Sequence, residues 1–163
     1  MYRAQNTIEF VRTVMRQLEV SDIHTYLFGG WAEELWQLSA PRSHADIDLL
    51  YPAADFQLVD KWLQETAGVV VRSEKHFHHK RALLYNQVKL ELFLLEPLSK
   101  GYVTNYFGDL YRLYWKPDSL VHLELPDGDI MPLASTTALQ AYQQHHHLIQ
   151  DAYQRYIGRQ VHP

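Results

Sequence analysis

FGGWAEELWQLSAPRSHADIDLL, residues 28–50, decides how the chain is read. It opens on the aromatic that closes a short β-rich run, His24 to Phe28, and continues into two glycines. Trp31, Leu35 and Leu38 then recur at helical spacing until APRS ends the helix. Ala45 to Tyr51 reads as a strand closed by Pro52. Residues two apart in a strand share a face, so Asp46 and Asp48 point together while Ile47 and Leu49 point into the core. Two carboxylates side by side repel, and one pKa rises unless a cation intervenes. A hard divalent ion such as Mg²⁺ resolves the conflict, and it uses such carboxylates when it also holds substrate phosphates. A solvated face on an edge strand is the plain alternative, and Asp-x-Asp alone is common by chance. The setting sharpens the pair. Gly29 and Gly30 lie at a strand-to-helix junction, where free backbone N–H groups favour an anion and the missing side chains let phosphate approach. A metal-bound triphosphate would satisfy both features.

Composition narrows the classes. A chain of 163 residues suits one compact domain with a sizeable core. The absence of cysteine excludes disulfides, zinc–thiolate sites and thiol nucleophiles. A formal net charge of −4 disfavours nucleic acid as a partner, since phosphate contacts need a cationic surface. MYRAQNTIEFVRTVMRQLEV carries neither the apolar run nor the cleavage site of a signal peptide. No stretch approaches the ~20 apolar residues that span a bilayer. The expectation is a cytoplasmic protein without membrane contact.

Around the opening stretch, Ile8, Val11, Val14, Met15 and Leu18 predict a helix over residues 6–19, with Arg3, Arg12 and Arg16 between them. Residues 54–66 form a second helix, with Phe56, Val59, Trp62 and Leu63 on one face. Gly68 precedes a strand, VVVRS. ALLYNQVKLELFLL, residues 82–95, reads as two strands folded back at Asn86-Gln87, and LVHLELPDGDIMPL, residues 120–133, as a hairpin turning at Asp127-Gly128. Ser135-Thr136 caps a last helix reaching about Tyr156. Alternating elements, then clustered strands, then a closing helix give an α/β (α+β) class: a mixed β-sheet flanked by helices.

GGWAxE, a helix, then RxHxDIDLL (Gly29, Gly30, Trp31, Ala32; Arg42, His44, Asp46, Ile47, Asp48) resembles the nucleotidyltransferase superfamily of DNA polymerase β. The GGW form is similar to the small aminoglycoside 2''- and lincosamide nucleotidyltransferases. The resemblance implies a minimal nucleotidyltransferase fold over 1–163, with a catalytic core at about 20–97 and an acceptor-side region at about 98–163 ending in a C-terminal helix. It implies transfer of AMP from ATP, or another nucleoside monophosphate from its NTP, to a hydroxyl of a small molecule such as an aminoglycoside-like antibiotic. Two Mg²⁺ ions would be held by Asp46, Asp48 and a third carboxylate on a later strand. Glu91 in VKLELFLLEP takes that place, where the family more often has aspartate; Glu96, before Pro97, is a possible substitute. Glu91, or a metal-bound carboxylate near it, could accept the acceptor's proton. Gly29, Gly30, Trp31, Arg42 and His44 fall on the nucleotide side, although Trp31 also suits packing at the helix base. Two other readings keep the fold: a protein- or RNA-modifying enzyme of toxin–antitoxin type, whose motif usually begins Gly-Ser, and a catalytically silent member that binds a nucleotide or a partner.

Other features point less sharply. His76, His78 and His79, with His145, His146 and His147, suggest ligands by count, yet consecutive histidines on a helix point in different directions. They are expected to be solvated or locally packed. Lys75, Lys80 and Arg81 form a basic stretch read as surface charge within reach of phosphates. Tyr102, Tyr106, Phe107, Tyr111, Tyr114 and Trp115 crowd one segment, which suits an aromatic wall for the acceptor, a core, or a dimer surface. Asp109, Glu124 and Asp129 are candidates for recognising a cationic acceptor. The chain is expected to be a monomer or a homodimer.

Overall fold

The computed structural model describes residues 5–161. Arg3 and the outermost ends of the 1–163 span lie outside the described residues. Helix α1 (Ile8–Val20) begins at Thr7, whose hydroxyl accepts from the N–H of Phe10, and buries Val11, Val14, Met15 and Leu18 on one stripe. There follow β1 (Tyr26–Phe28), α2 (Gly29–Leu35), β2 (Asp46–Pro52), α3 (Gln57–Glu65), β3 (Val69–Val71), a 3₁₀ turn (Ser73–Lys75), β4 (Lys80–Tyr85) and β5 (Val88–Pro97). The chain then runs through β6 (Tyr102–Tyr106), β7 (Tyr111–Trp115), β8 (Leu120–Glu124) and β9 (Ile130–Ala134) to α4 (Thr136–Val161). No helix among the described residues is long and apolar enough to cross a membrane.

The strands form one mixed sheet in the order β3-β4-β5-β2-β1-β9-β8, and the far end of β5 carries the β6–β7 hairpin. β2 runs parallel to β5, and β1 parallel to β9; the remaining pairs are antiparallel. Register sorts side chains between two faces. Ile47, Leu49, Leu83, Leu90 and Leu92 share one face and are fully buried. On that face Tyr85 meets Phe10 of α1 and Trp62 of α3. The opposite face carries Phe28, Asp46, Asp48, Lys80, Lys89, Glu91 and Phe93, partly covered by α4 through Tyr142, whose ring lies 4.9 Å from that of Phe28.

The expected mixed sheet flanked by helices is what forms. The β4–β5 turn uses Asn86 and Gln87, both at positive φ (47° and 69°), as a two-residue hairpin of this twist requires. The strand after Gly68 is shorter than expected, ending at Val71, and α4 runs one turn beyond Tyr156. The β6–β7 hairpin was not foreseen. Aromatic residues fall on both faces of β7, Tyr114 outward and Trp115 inward, which masks the inward alternation of Leu113 and Trp115 against outward Arg112 and Tyr114.

Candidate functional site

Phe28 pairs with Asp48, and Asp48 with Glu91, so β1, β2 and β5 bring both aspartates and Glu91 to one patch of one face. β1 ends at Gly29, which has φ +63°. A Cβ there would collide with Oδ2 of Asp48. The glycine is therefore required twice, by its left-handed backbone and by the carboxylate beneath it. Gly30 is equally tight: its Cβ would lie 2.6 Å from an Arg42 guanidinium nitrogen and 2.8 Å from Nδ1 of His44. α2 begins at this pair but spans only seven residues, so its dipole is small and backbone access matters more.

The connection before β2 is held from two sides. Oε1 of Glu34 accepts from the Arg42 N–H at 3.0 Å and from Nε2 of His44 at 2.9 Å, which turns Nδ1 of His44 toward Gly30. Burial pushes the Glu34 carboxyl up, but the bonds from His44 and Arg42 outweigh it and hold it below its ordinary value. From below, Nδ2 of Asn6 donates to the carbonyls of His44 and Asp46 at 2.8 and 3.2 Å, while its Oδ1 accepts from the Trp31 indole at 2.9 Å. Trp31 is buried, its ring 4.2 Å from that of His44, so it supports the loop rather than presenting a stacking face. Arg42 is exposed above Gly30.

The carboxylates differ in surroundings. Oδ1 of Asp48 is sealed from solvent and has no hydrogen-bond partner. Burial, then the charges of Glu91 and Asp46, push the Asp48 pKa up to about 7. Asp46 is more open and lies 3.8 Å from Nζ of Lys89. Glu91 is buried, yet its Oε2 meets Lys80 at 2.8 Å and its Oε1 meets Lys89 at 2.9 Å. Burial raises its pKa, but the two lysines outweigh burial and leave Glu91 below its ordinary value. Tyr142 completes the patch: burial, then the charges of Asp48 and Glu91, push its hydroxyl up to about 12.

The basic stretch thus divides. Lys80 and Arg81 are adjacent in β4 and point to opposite faces: Lys80 to Glu91, Arg81 to Asp60 of α3 at 2.7 Å. Reading Lys80 as surface charge is corrected by its place beside Glu91. Glu96 binds His78 and Asn105 and stands apart from the aspartates. Asp109 pairs with Arg159, and Asp129 with Arg12 and Arg16 at the β8–β9 turn, so these acids do not converge on the site. The first histidine cluster and His145 are taken up locally. His76 meets the Ala82 carbonyl, His79 accepts from the Phe107 N–H, and His145 meets the Tyr111 hydroxyl. Among the described residues no three His, Asp or Glu side chains are grouped closely enough to form a ready cage for a metal ion. Sequence reading missed Asn6, Lys89 and Tyr142 as site residues, and it gave no role to Glu34, the last residue of the GGWAxE motif. Glu34 lies four residues after Gly30 on the same helix, a local spacing that the motif carries.

Beside Glu91 opens a cavity of about 290 Å³ between β4–β5, the β6–β7 turn and α4. Phe93, Tyr106, Phe107, Tyr142 and Tyr153 give it aromatic walls, and Lys75, Lys80, Glu74 and Glu91 supply charge.

The sequence matches no protein-family model and no curated relative. In structure the chain is similar to lincosamide antibiotic adenylyltransferase LnuA with lincomycin bound, with a TM-score of 0.68 at 15% identity over 92% of this chain and 98% of that one. It is similar to ANT(2")-Ia in complex with adenylyl-2"-tobramycin, with a TM-score of 0.56 at 13% identity over 91% and 98% of the two chains. A candidate nucleotidyltransferase from Thermotoga maritima gives a TM-score of 0.58 at 14% identity over 98% of both. The chain has a nucleotidyltransferase-like fold.

Proposed function

We propose that the chain is a metal-dependent nucleotidyltransferase that moves a nucleoside monophosphate, AMP from ATP, to a hydroxyl of a small molecule. The observation that carries the reading is the sealed, unpartnered Oδ1 of Asp48, on a carboxylate set beside Asp46 whose other oxygen, Oδ2, lies directly under Gly29. An ionised carboxylate in that position needs a cation. The donor set fits one divalent ion on Asp46 and Asp48: hard oxygen ligands, one of them orphaned, below a glycine backbone that triphosphate can approach. When bound, such an ion neutralises triphosphate oxygens and the charge of departing pyrophosphate. The donor set fits a second ion poorly, because both oxygens of Glu91 are engaged by lysines.

The chain's own residues do the rest. Gly29 and Gly30 leave room for phosphate against the backbone, and Arg42, exposed above Gly30, meets its charge. Glu91 lies between the aspartates and the aromatic cavity with both oxygens held by lysines, so the more open Asp46 is the carboxylate left to take the acceptor's proton as the acceptor oxygen bonds to the α-phosphorus and pyrophosphate leaves. The catalytic core is residues 20–97, and residues 98–163 supply the acceptor side through β6, β7 and α4. The cavity favours an uncharged hydroxylated acceptor with an apolar face. Two lysines balance its two glutamates, so a polycationic aminoglycoside is the poorer candidate.

Isothermal titration calorimetry with ATP, with and without Mg²⁺, tests the reading on wild type and Asp48→Asn. Binding that requires both Mg²⁺ and Asp48, followed by pyrophosphate release with a hydroxylated acceptor, is expected. Metal-dependent turnover that survives Asp48→Asn would sink it.

A further inference from the structure

We infer that Lys80 and Lys89 stand where a second cation would, so that the site takes one divalent ion per chain and neutralises Glu91 with ammonium groups. This rests on the nucleotidyl-transfer reading. Each oxygen of Glu91 is held by a different lysine, at 2.8 Å from Lys80 and 2.9 Å from Lys89. Both lysines are fixed to this face by the sheet. Lys89 precedes Glu91 by two residues on β5 and is registered against Asp46; Lys80, on β4, is registered against Phe93 of β5. Lys80 is only 17% exposed, and its ammonium lies 5.5 Å from the centre of the Phe93 ring, so it has little freedom to swing into water. Lys75 adds a third ammonium beside Lys89.

The pairing of the individual oxygens favours the same conclusion. Three carboxylates, Asp46, Asp48 and Glu91, face three lysines, 75, 80 and 89. Of the three carboxylates, only Asp48 keeps a sealed oxygen without a partner; of its two carboxylate neighbours Asp46 is the more open, and Glu91 has both oxygens engaged. One divalent ion supplies the partner that Oδ1 of Asp48 lacks. A second would lie against ammonium groups that already hold both oxygens of its only remaining ligand. An ammonium is a compact charge with three donors, able to hold Glu91 and also meet oxygen on a transferring phosphoryl group.

Equilibrium dialysis against Mn²⁺ and α,β-methylene-ATP, counting bound metal and nucleotide per chain, is the test. Wild type is expected to hold one Mn²⁺ per bound nucleotide, and Lys80→Gln/Lys89→Gln to hold two, the second going to the released Glu91. Lys89→Gln alone serves if the double variant does not fold, since Lys89 is the more open of the two. Two Mn²⁺ ions on wild type would overturn the inference while leaving nucleotidyl transfer standing. A lysine variant that folds and still holds one ion would also overturn it. Failure of wild type to retain any metal and nucleotide would overturn both.

Discussion

Asp48 is the residue on which the site turns. Without a cation its folded pKa is about 7, above the ordinary 3.8. A raised pKa means the folded chain favours the protonated form. The stability linked to Asp48 is fully present below pH 3.8, declines as pH rises toward 7, and is flat beyond. Asp48→Asn removes the titration. In metal-free buffer, the urea midpoint of the variant should gain on wild type between pH 4 and 7 and then run parallel to it; a difference independent of pH would refute this. Gly29 carries a separate prediction. At φ +63° an alanine costs on the order of 1–2 kcal/mol in backbone strain, before its collision with Asp48. Gly29→Ala should lower stability by at least that much and abolish Mg²⁺-dependent ATP binding, measured by denaturation and calorimetry on the same preparation.

Between elements, single side chains act as clips. Asn6, just before α1, ties together the start of β2 and the indole on α2. Asn6→Ala should cost about 1–3 kcal/mol. It should also weaken ATP binding, because the carbonyls it holds belong to His44 and Asp46; unchanged affinity would make Asn6 a purely structural tie. His79, just before β4, accepts from the N–H of Phe107 between β6 and β7 and is buried among aromatic rings. Burial, with the charges of Lys80 and His78, pushes its pKa down to about 3 from 6.5. A depressed pKa reverses the sign: this contribution is present above pH 6.5 and lost as pH falls toward 3. His79→Asn keeps an acceptor without the titration. Its stability should fall less than that of wild type between pH 6.5 and 4, and an equal fall would show that another group drives acid unfolding.

At the scale of the whole molecule, periodicity and turn chemistry made much of the architecture legible. The stripe Val11, Val14, Met15, Leu18 and the turns at Asn86-Gln87 and Asp127-Gly128 are local signals, and each produced its element. The β6–β7 hairpin was hidden because aromatic residues occupy both of its faces. The common face of Asp46 and Asp48 follows from alternation along one strand, which needs no knowledge of the fold. Placing Glu91 beside them needed the parallel β2–β5 register, and the resemblance alone suggested it. Lys80 and Lys89 could not be told from surface lysines, because whether an alternating strand residue faces water or a carboxylate depends on its neighbouring strand. By itself the sequence determined the helices, the turns, the paired aspartates and the glycine junction, since these depend on residues a few positions apart. Only the tertiary structure decided that Asn6 clips the loop, that Glu91 is held by two lysines, and that an aromatic cavity opens beside it. Those facts join residues far apart in the chain, and strand register and packing set their distances.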